Sequence, residues 1–334
     1  VILFVIPSLQ RFFNSPQPTT KSTGQEPIAR APSTDNAQEP QPSSPSVSHS
    51  VSSTGPETSR QPPVRYKLPP IVVAETPPAH DYVLPALGRK PDTRLRLHKL
   101  SEKSNQIVDT EKWWAANGLE PLTYEVPNPF MNIAGDLPDY IPRRLNNLMV
   151  VKVIRGNPVL AIYGGNFSEG RILLALNPVD ENPVFGFDFS LYQWPQFSAL
   201  EDKQLVRMAT RWAYVEGDIL YVAHSHSTYA SYSQGDNAYI TAIHIPSNRI
   251  QWRSRPLVCN TDNFIVKDDA IISGYGFTAE KDYLYLLNKA DGRVVQQIPI
   301  KSGPEHLVDQ GDSLYVRSYN TDYVFRISTA SQGK

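Results

Sequence analysis

Gly217-Asp218-Ile219-Leu220-Tyr221-Val222, Asp268-Asp269-Ala270-Ile271-Ile272-Ser273 and Gly311-Asp312-Ser313-Leu314-Tyr315-Val316 are three versions of one phrase. Each is a polar turn that runs into an apolar, strand-like stretch. A second phrase follows each copy: Tyr239–Ile245, Tyr283–Leu287 and Tyr323–Ile327. Two of these lead through a further turn, Pro246-Ser247-Asn248-Arg249 or Ala290-Asp291-Gly292-Arg293, to another strand. Self-similarity at this length points to a stacked repeat architecture and away from a single catalytic motif.

Upstream, Leu148–Ile154, the turn Arg155-Gly156-Asn157-Pro158 and Val159–Tyr163 follow the same grammar, so the first unit starts near Asn157. The turns at Asn157, Asp218, Asp269 and Asp312 are spaced 61, 51 and 43 residues apart. The last two spacings fit a four-stranded propeller blade of about 40–50 residues. The first is long by a segment, 199–210, that reads as a short helix with Leu200, Leu205 and Met208 apolar. The expected fold is an all-β propeller of roughly five blades, within a range of 4–7. An open ring would leave unpaired strand edges, so an N-terminal strand is expected to complete the last unit. Leu122-Thr123-Tyr124-Glu125-Val126 is a candidate for further outer or closing strands.

Leu284-Tyr285-Leu286-Leu287-Asn288-Lys289-Ala290-Asp291-Gly292-Arg293-Val294-Val295 resembles the repeat of quinoprotein-like (PQQ-type) β-propellers, and Ile243–Arg253 is a looser copy that keeps Trp252. The resemblance covers roughly 145–328. It implies a propeller of the non-catalytic branch. The dehydrogenase branch carries a vicinal disulfide, and this chain has one cysteine, Cys259. Its Ca²⁺ site and catalytic Asp map onto no position here. No cofactor is expected.

The remaining organisation reads in four parts. Residues 1–13, with Val1–Pro7 and Phe12-Phe13, look like the remnant of a membrane anchor or signal segment; seven apolar residues are too few to span, since about 20 are needed. Residues 14–80 hold 14 of the 30 prolines and 18 Ser or Thr, and 14–65 contain no aromatic residue. Such a segment buries too little apolar surface to offset its ordering entropy; a disordered, extended linker is expected. Residues 81–144 read as an extended arm with edge strands, a basic patch (Arg89, Lys90, Arg94, Arg96, Lys99, Lys103) and one short helix at 109–118 that carries Trp113-Trp114. One tryptophan is expected to pack on the body and the other to seal a linker. Residues 145–330 form the propeller.

A net charge of −1 over 334 residues lacks the broad basic surface of a nucleic-acid binder. No phosphate loop or nucleophile elbow appears. His224 and His226 stand two apart on a strand and would ligate Zn²⁺ or Cu²⁺ only with a third ligand such as His244 or His306; strand-end histidines that hydrogen-bond in a loop are commoner. Gly303-Pro304-Glu305-His306 reads as a turn. Tyrosine is abundant, at 17 copies. Tyr229, Tyr232, Tyr275 and Tyr319, with Arg317, fall in or beside the loops that gather on one face of a propeller, and such residues combine area with a polar tip.

These features point to a non-catalytic binding or scaffold propeller that faces a protein or glycan partner. It would be membrane-anchored or secreted on the extracytoplasmic side of a bacterial-type envelope, touching membrane only through its N-terminus. The competing reading is a propeller hydrolase or lyase using His224, His226, Tyr275, His306 and Arg317.

Overall fold

The turn that recurs in the sequence joins the first two strands of each sheet. In a computed structural model describing residues 68–78, 93–107, 109–196 and 205–329, β9 (Ala209–Glu216) turns at Gly217-Asp218 into β10 (Ile219–Ser225). Likewise β13 (Ile265–Lys267) turns at Asp268-Asp269 into β14 (Ala270–Tyr275), and β17 (Pro304–Gln310) at Gly311-Asp312 into β18 (Ser313–Ser318). The first loop position takes a left-handed φ each time: +56° at Gly217, +50° at Asp268 and +67° at Gly311. Tight hairpins need that handedness, which is why Gly or Asp stands there.

Each sheet then meanders outward. The second adds β11 (Tyr239–His244) and β12 (Arg249–Arg253); the third adds β15 (Tyr283–Asn288) and β16 (Val294–Pro299). The first runs through β5 (Leu148–Ile154), β6 (Val159–Gly164), β7 (Gly170–Leu176) and β8 (Pro183–Asp188). The last has only β19 (Thr321–Thr329) after β18, and its fourth strand is β2 (Leu95–Ser104), antiparallel to β19 from Thr321↔Ser104 to Thr329↔Leu95. The chain thus closes its last blade with an upstream strand, as the open-edge argument requires. Leu95 and Leu97 face the core, which sets the register of the Arg94–His98 alternation.

The fold is therefore an all-β propeller. Four blades are present among the described residues, at the low end of the expected range and one fewer than five. The other upstream strands form no fifth sheet among the described residues and instead cover the edges of the first. β1 (Ile71–Val73) runs parallel to β8 on its outer edge, while β3 (Thr123–Tyr124) and β4 (Arg144–Leu145) pair with β5 on its inner edge. Ile71–Val73 thus corrects the expectation of disorder across 14–80: an apolar run beside an open sheet edge gains ladder bonds. Residues 14–67 lie outside the described residues, as does the 1–13 remnant. Among the described residues no helix is long and apolar enough to cross a membrane. The helix expected over 199–210 is absent where it is described: Ala209 and Thr210 begin β9, and 199–204 lie outside the described residues.

Helix α1 (Thr110–Ala116) is capped by Asp109, whose side chain accepts from the Lys112 amide. Both tryptophans pack on the body, against the expectation that one would seal a linker. They meet Leu119, Val308 and Tyr315, and Leu122 joins this cluster to the main core. The seam between the fourth and first blades is thereby filled with side chains. Three side-chain amides make two-point bonds across other joins. Gln296 brackets the Leu97 main chain, Asn263 brackets Leu307, and Asn248 ties Val73 and Glu75 to the second blade.

Candidate functional site

In an antiparallel blade the loop after the second strand and the connection after the fourth lie at one end of the sheet. That end carries most of the residues the sequence singles out. Tyr229 precedes and Tyr232 lies within a 3-10 turn, Ala230–Ser233, in the β10–β11 loop; they are 37% and 39% exposed. Their rings meet edge to face at 6.0 Å, and Tyr229 meets Phe277 of the third blade's β14–β15 loop at 5.1 Å. Glu280 fixes the two loops together, because Oε1 accepts from the Ala230 amide at 2.7 Å and Oε2 from the Tyr275 hydroxyl. Tyr275 is itself buried, and burial raises its pKa. It braces the platform from behind. Tyr319 is 77% exposed in the β18–β19 turn, apart from the pair.

Arg317 is buried, so it offers no head group to a partner. Its Nη2 donates to the Ile107 carbonyl at 2.8 Å, Nη1 lies 3.5 Å from Asp322, and the guanidinium sits over the Trp113 ring. It anchors the helix.

His224 and His226 occupy separate environments. A bulge separates Ala223 from His224. His224 stacks on Tyr192 at 4.7 Å, meets Phe189 edge-on, and lies 3.2 Å from Thr210 Oγ1 through Nε2. His226 Nε2 lies 2.8 Å from Ser233 Oγ. Burial pushes their pKa values down to about 3 and about 4, so both rings are neutral near pH 7. Among the described residues no group of three His, Cys, Asp or Glu is placed to hold a metal. Cys259 is fully buried 3.6 Å from Thr261 Oγ1, and burial pushes its thiol up to about 12.

The axis holds a constellation the sequence reading did not assemble. The innermost strands of three blades contribute, and the third blade adds Asp262 from the connection before β13. A bulge at Val150/Lys152 in β5 lies between the stretches paired to β4 and β3 and sends Lys152 inward. Its ammonium donates to the Asp262 carbonyl at 3.2 Å and stands 3.8 Å from the Asp262 carboxylate, across the axis, and 5.7 Å from the Trp212 ring centroid. Arg211, at the head of β9, donates to Ser225 Oγ at 3.2 Å and to Ser227 Oγ. His306, in β17, lies 3.9 Å from Asp262 and packs its ring edge-on to Trp114. The Asp262 amide donates to the Glu305 carbonyl at 2.9 Å.

Burial lowers the pKa of Lys152, with Arg211 adding to it and Asp262 opposing. Burial also lowers Arg211 and His306. For Asp262, burial works against ionisation, but Lys152, His306 and Arg211 outweigh it and hold the carboxyl below its usual range. Glu305 goes the other way, up to about 7, from burial and then from Asp262. A signal for this set does exist in the sequence. Arg211, Asp262 and Glu305 each stand seven residues before a turn aspartate, Asp218, Asp269 and Asp312.

No family model matches the chain, and no curated protein does. Among solved structures it is similar to the computationally designed Ika4 protein, at 8% identity over 53% of this chain and 88% of that one, with a TM-score of 0.31. It is also similar to BamB from Moraxella catarrhalis (13%; 52% and 56%; 0.29) and to Kuenenia stuttgartiensis hydrazine synthase (10%; 53% and 49%; 0.33). The chain spans about half the length of the latter two. Superpositions this loose carry no argument, and the propeller rests on the strand order and register described above.

Proposed function

We propose that this chain is a non-catalytic binding propeller of the quinoprotein-like kind, tethered by its N-terminal segment to a bacterial-type envelope and presenting its loop face to a protein or glycan partner. One observation carries the reading: Tyr229, Tyr232 and Phe277 form a half-exposed aromatic platform that spans two blades and is fixed by Glu280. Rigid aromatic area with polar tips is what recognition surfaces spend their binding energy on. The platform needs no rearrangement to meet a partner, because its two loops are already joined.

The test compares the purified chain with a Tyr229→Ser/Tyr232→Ser variant for retention on insoluble cell-wall glycan and on immobilised envelope protein extract. The variant is expected to keep its circular dichroism spectrum and to lose retention on one of the two by at least about tenfold, the size of an ordinary interface hot spot. Equal retention of both proteins, or none by the parent, overturns the reading.

A further inference from the structure

We propose that the mouth of the axis binds a small carboxylate anion between Lys152 and Arg211. The proposal is independent of the tyrosine platform. It begins with unequal numbers of charges. Lys152 of the first blade stands 3.8 Å from one carboxylate, Asp262 of the third, and Arg211 of the second is near enough to help hold that carboxyl ionised. The other acid nearby, Glu305, is half-buried and titrates at about 7, so it is not a fixed counter-charge; Arg317 and Asp322 offset one another.

The geometry leaves the cations under-used. The Asp262 carboxylate stands 3.8 Å from the lysine nitrogen and 3.9 Å from His306 Nε2, too far for a hydrogen bond to either, and its side chain is 46% exposed along the axis. Lys152 has three donors and spends one on a carbonyl. The serines at 225 and 227 aim the Arg211 guanidinium through Nε and Nη2, and neither uses Nη1. Lys152 and Arg211 therefore hold more donors than the Asp262 carbonyl and the two serines accept, and half-desolvated cations short of hydrogen bonds gain most from an added anion.

Size and charge select the ligand. A single lysine side chain crosses from the first blade to the third, so the space takes a small molecule. The surplus is one positive charge while Asp262 is ionised and Glu305 is protonated, and smaller once Glu305 ionises, which suits a monoanionic carboxylate better than a phosphate dianion.

Calorimetric titration of the full chain with acetate, lactate and inorganic phosphate, at fixed ionic strength and neutral pH, tests this. Saturable 1:1 binding of a carboxylate is expected, weakened at least tenfold by Lys152→Gln and by Arg211→Gln. Asp262→Asn removes the competing negative charge and is expected to tighten binding severalfold. This variant decides the matter even if the cation variants fail to fold, because a purely structural ion pair predicts no gain. Absence of saturable carboxylate binding in the millimolar range, an unchanged or weaker affinity in Asp262→Asn, or binding of phosphate in preference to carboxylates overturns the proposal.

Discussion

A Cβ built on Gly292 would lie 2.4 Å from the ring of Trp252, and Gly292 holds φ at +71°. Trp252 ends the second blade, and its indole donates to the Lys289 carbonyl at 3.0 Å, in the turn of the third. The glycine and the tryptophan of the repeat are thus one contact between successive blades. Gly292→Ala is expected to cost about 2–4 kcal/mol, from left-handed strain plus displacement of a packed ring, read as a shift in the urea midpoint at unchanged slope.

The buried histidines give a second outcome. A ring neutral in the folded state and free to protonate when unfolded loses stability as pH falls below about 6.5, by up to about 1.4 kcal/mol per pH unit. For His224 the loss continues toward its folded value of about 3. Asp282 and Glu305, raised to about 6 and about 7, act oppositely and lose stability as pH rises through the range from about 4 to 7. The bare profile mixes the two. The stability difference between the parent and His224→Phe, measured by urea unfolding at pH 7 and pH 5, isolates the histidine: the variant should gain relative to the parent on acidification.

The hairpin turns and the strands after them were legible because φ > 0 and buried β-strands each leave a compositional mark. The first strands of the last three blades were not, although β5 was. β13 is only three residues long, and the other two carry Arg211 and Glu305 among apolar neighbours, which hides their periodicity. The burial of His224 and Arg317 was equally invisible, since their partners Tyr192 and Ile107 lie 32 and 210 residues away.

β2 carries a burden out of proportion to its position. Without it, the nine residues of β19 would expose a full row of unpaired main-chain groups, and Leu95 and Leu97 would leave the core shared by the last two blades. A chain that begins at Asn105 is expected to aggregate or to melt far below one that begins at Thr93, as size-exclusion chromatography and thermal melting would show. α1 acts on the opposite flank. Trp113→Ala removes a ring that Arg317, Val308 and Tyr315 surround and should cost about 3–5 kcal/mol. Amide exchange should quicken first in β17 and β18, which the helix covers.

The four blades share two large cores, one reaching across the first three and one joining the third to the fourth. The molecule is continuous except at the seam, where α1 and the strands that line β5 stand in for sheet-to-sheet packing. Closure therefore depends on residues 93–147, outside the visible repeat, so repeat spacing alone does not set the number of blades.

The amides of Asn248, Asn263 and Gln296 each offer a donor and an acceptor to a main chain that presents both. Hydrolysis of such an amide to an acid deletes the donor and sets a carboxylate against a carbonyl oxygen. Slow chemical ageing at a few side chains is therefore a route, separate from heat, by which one blade unfastens from the next.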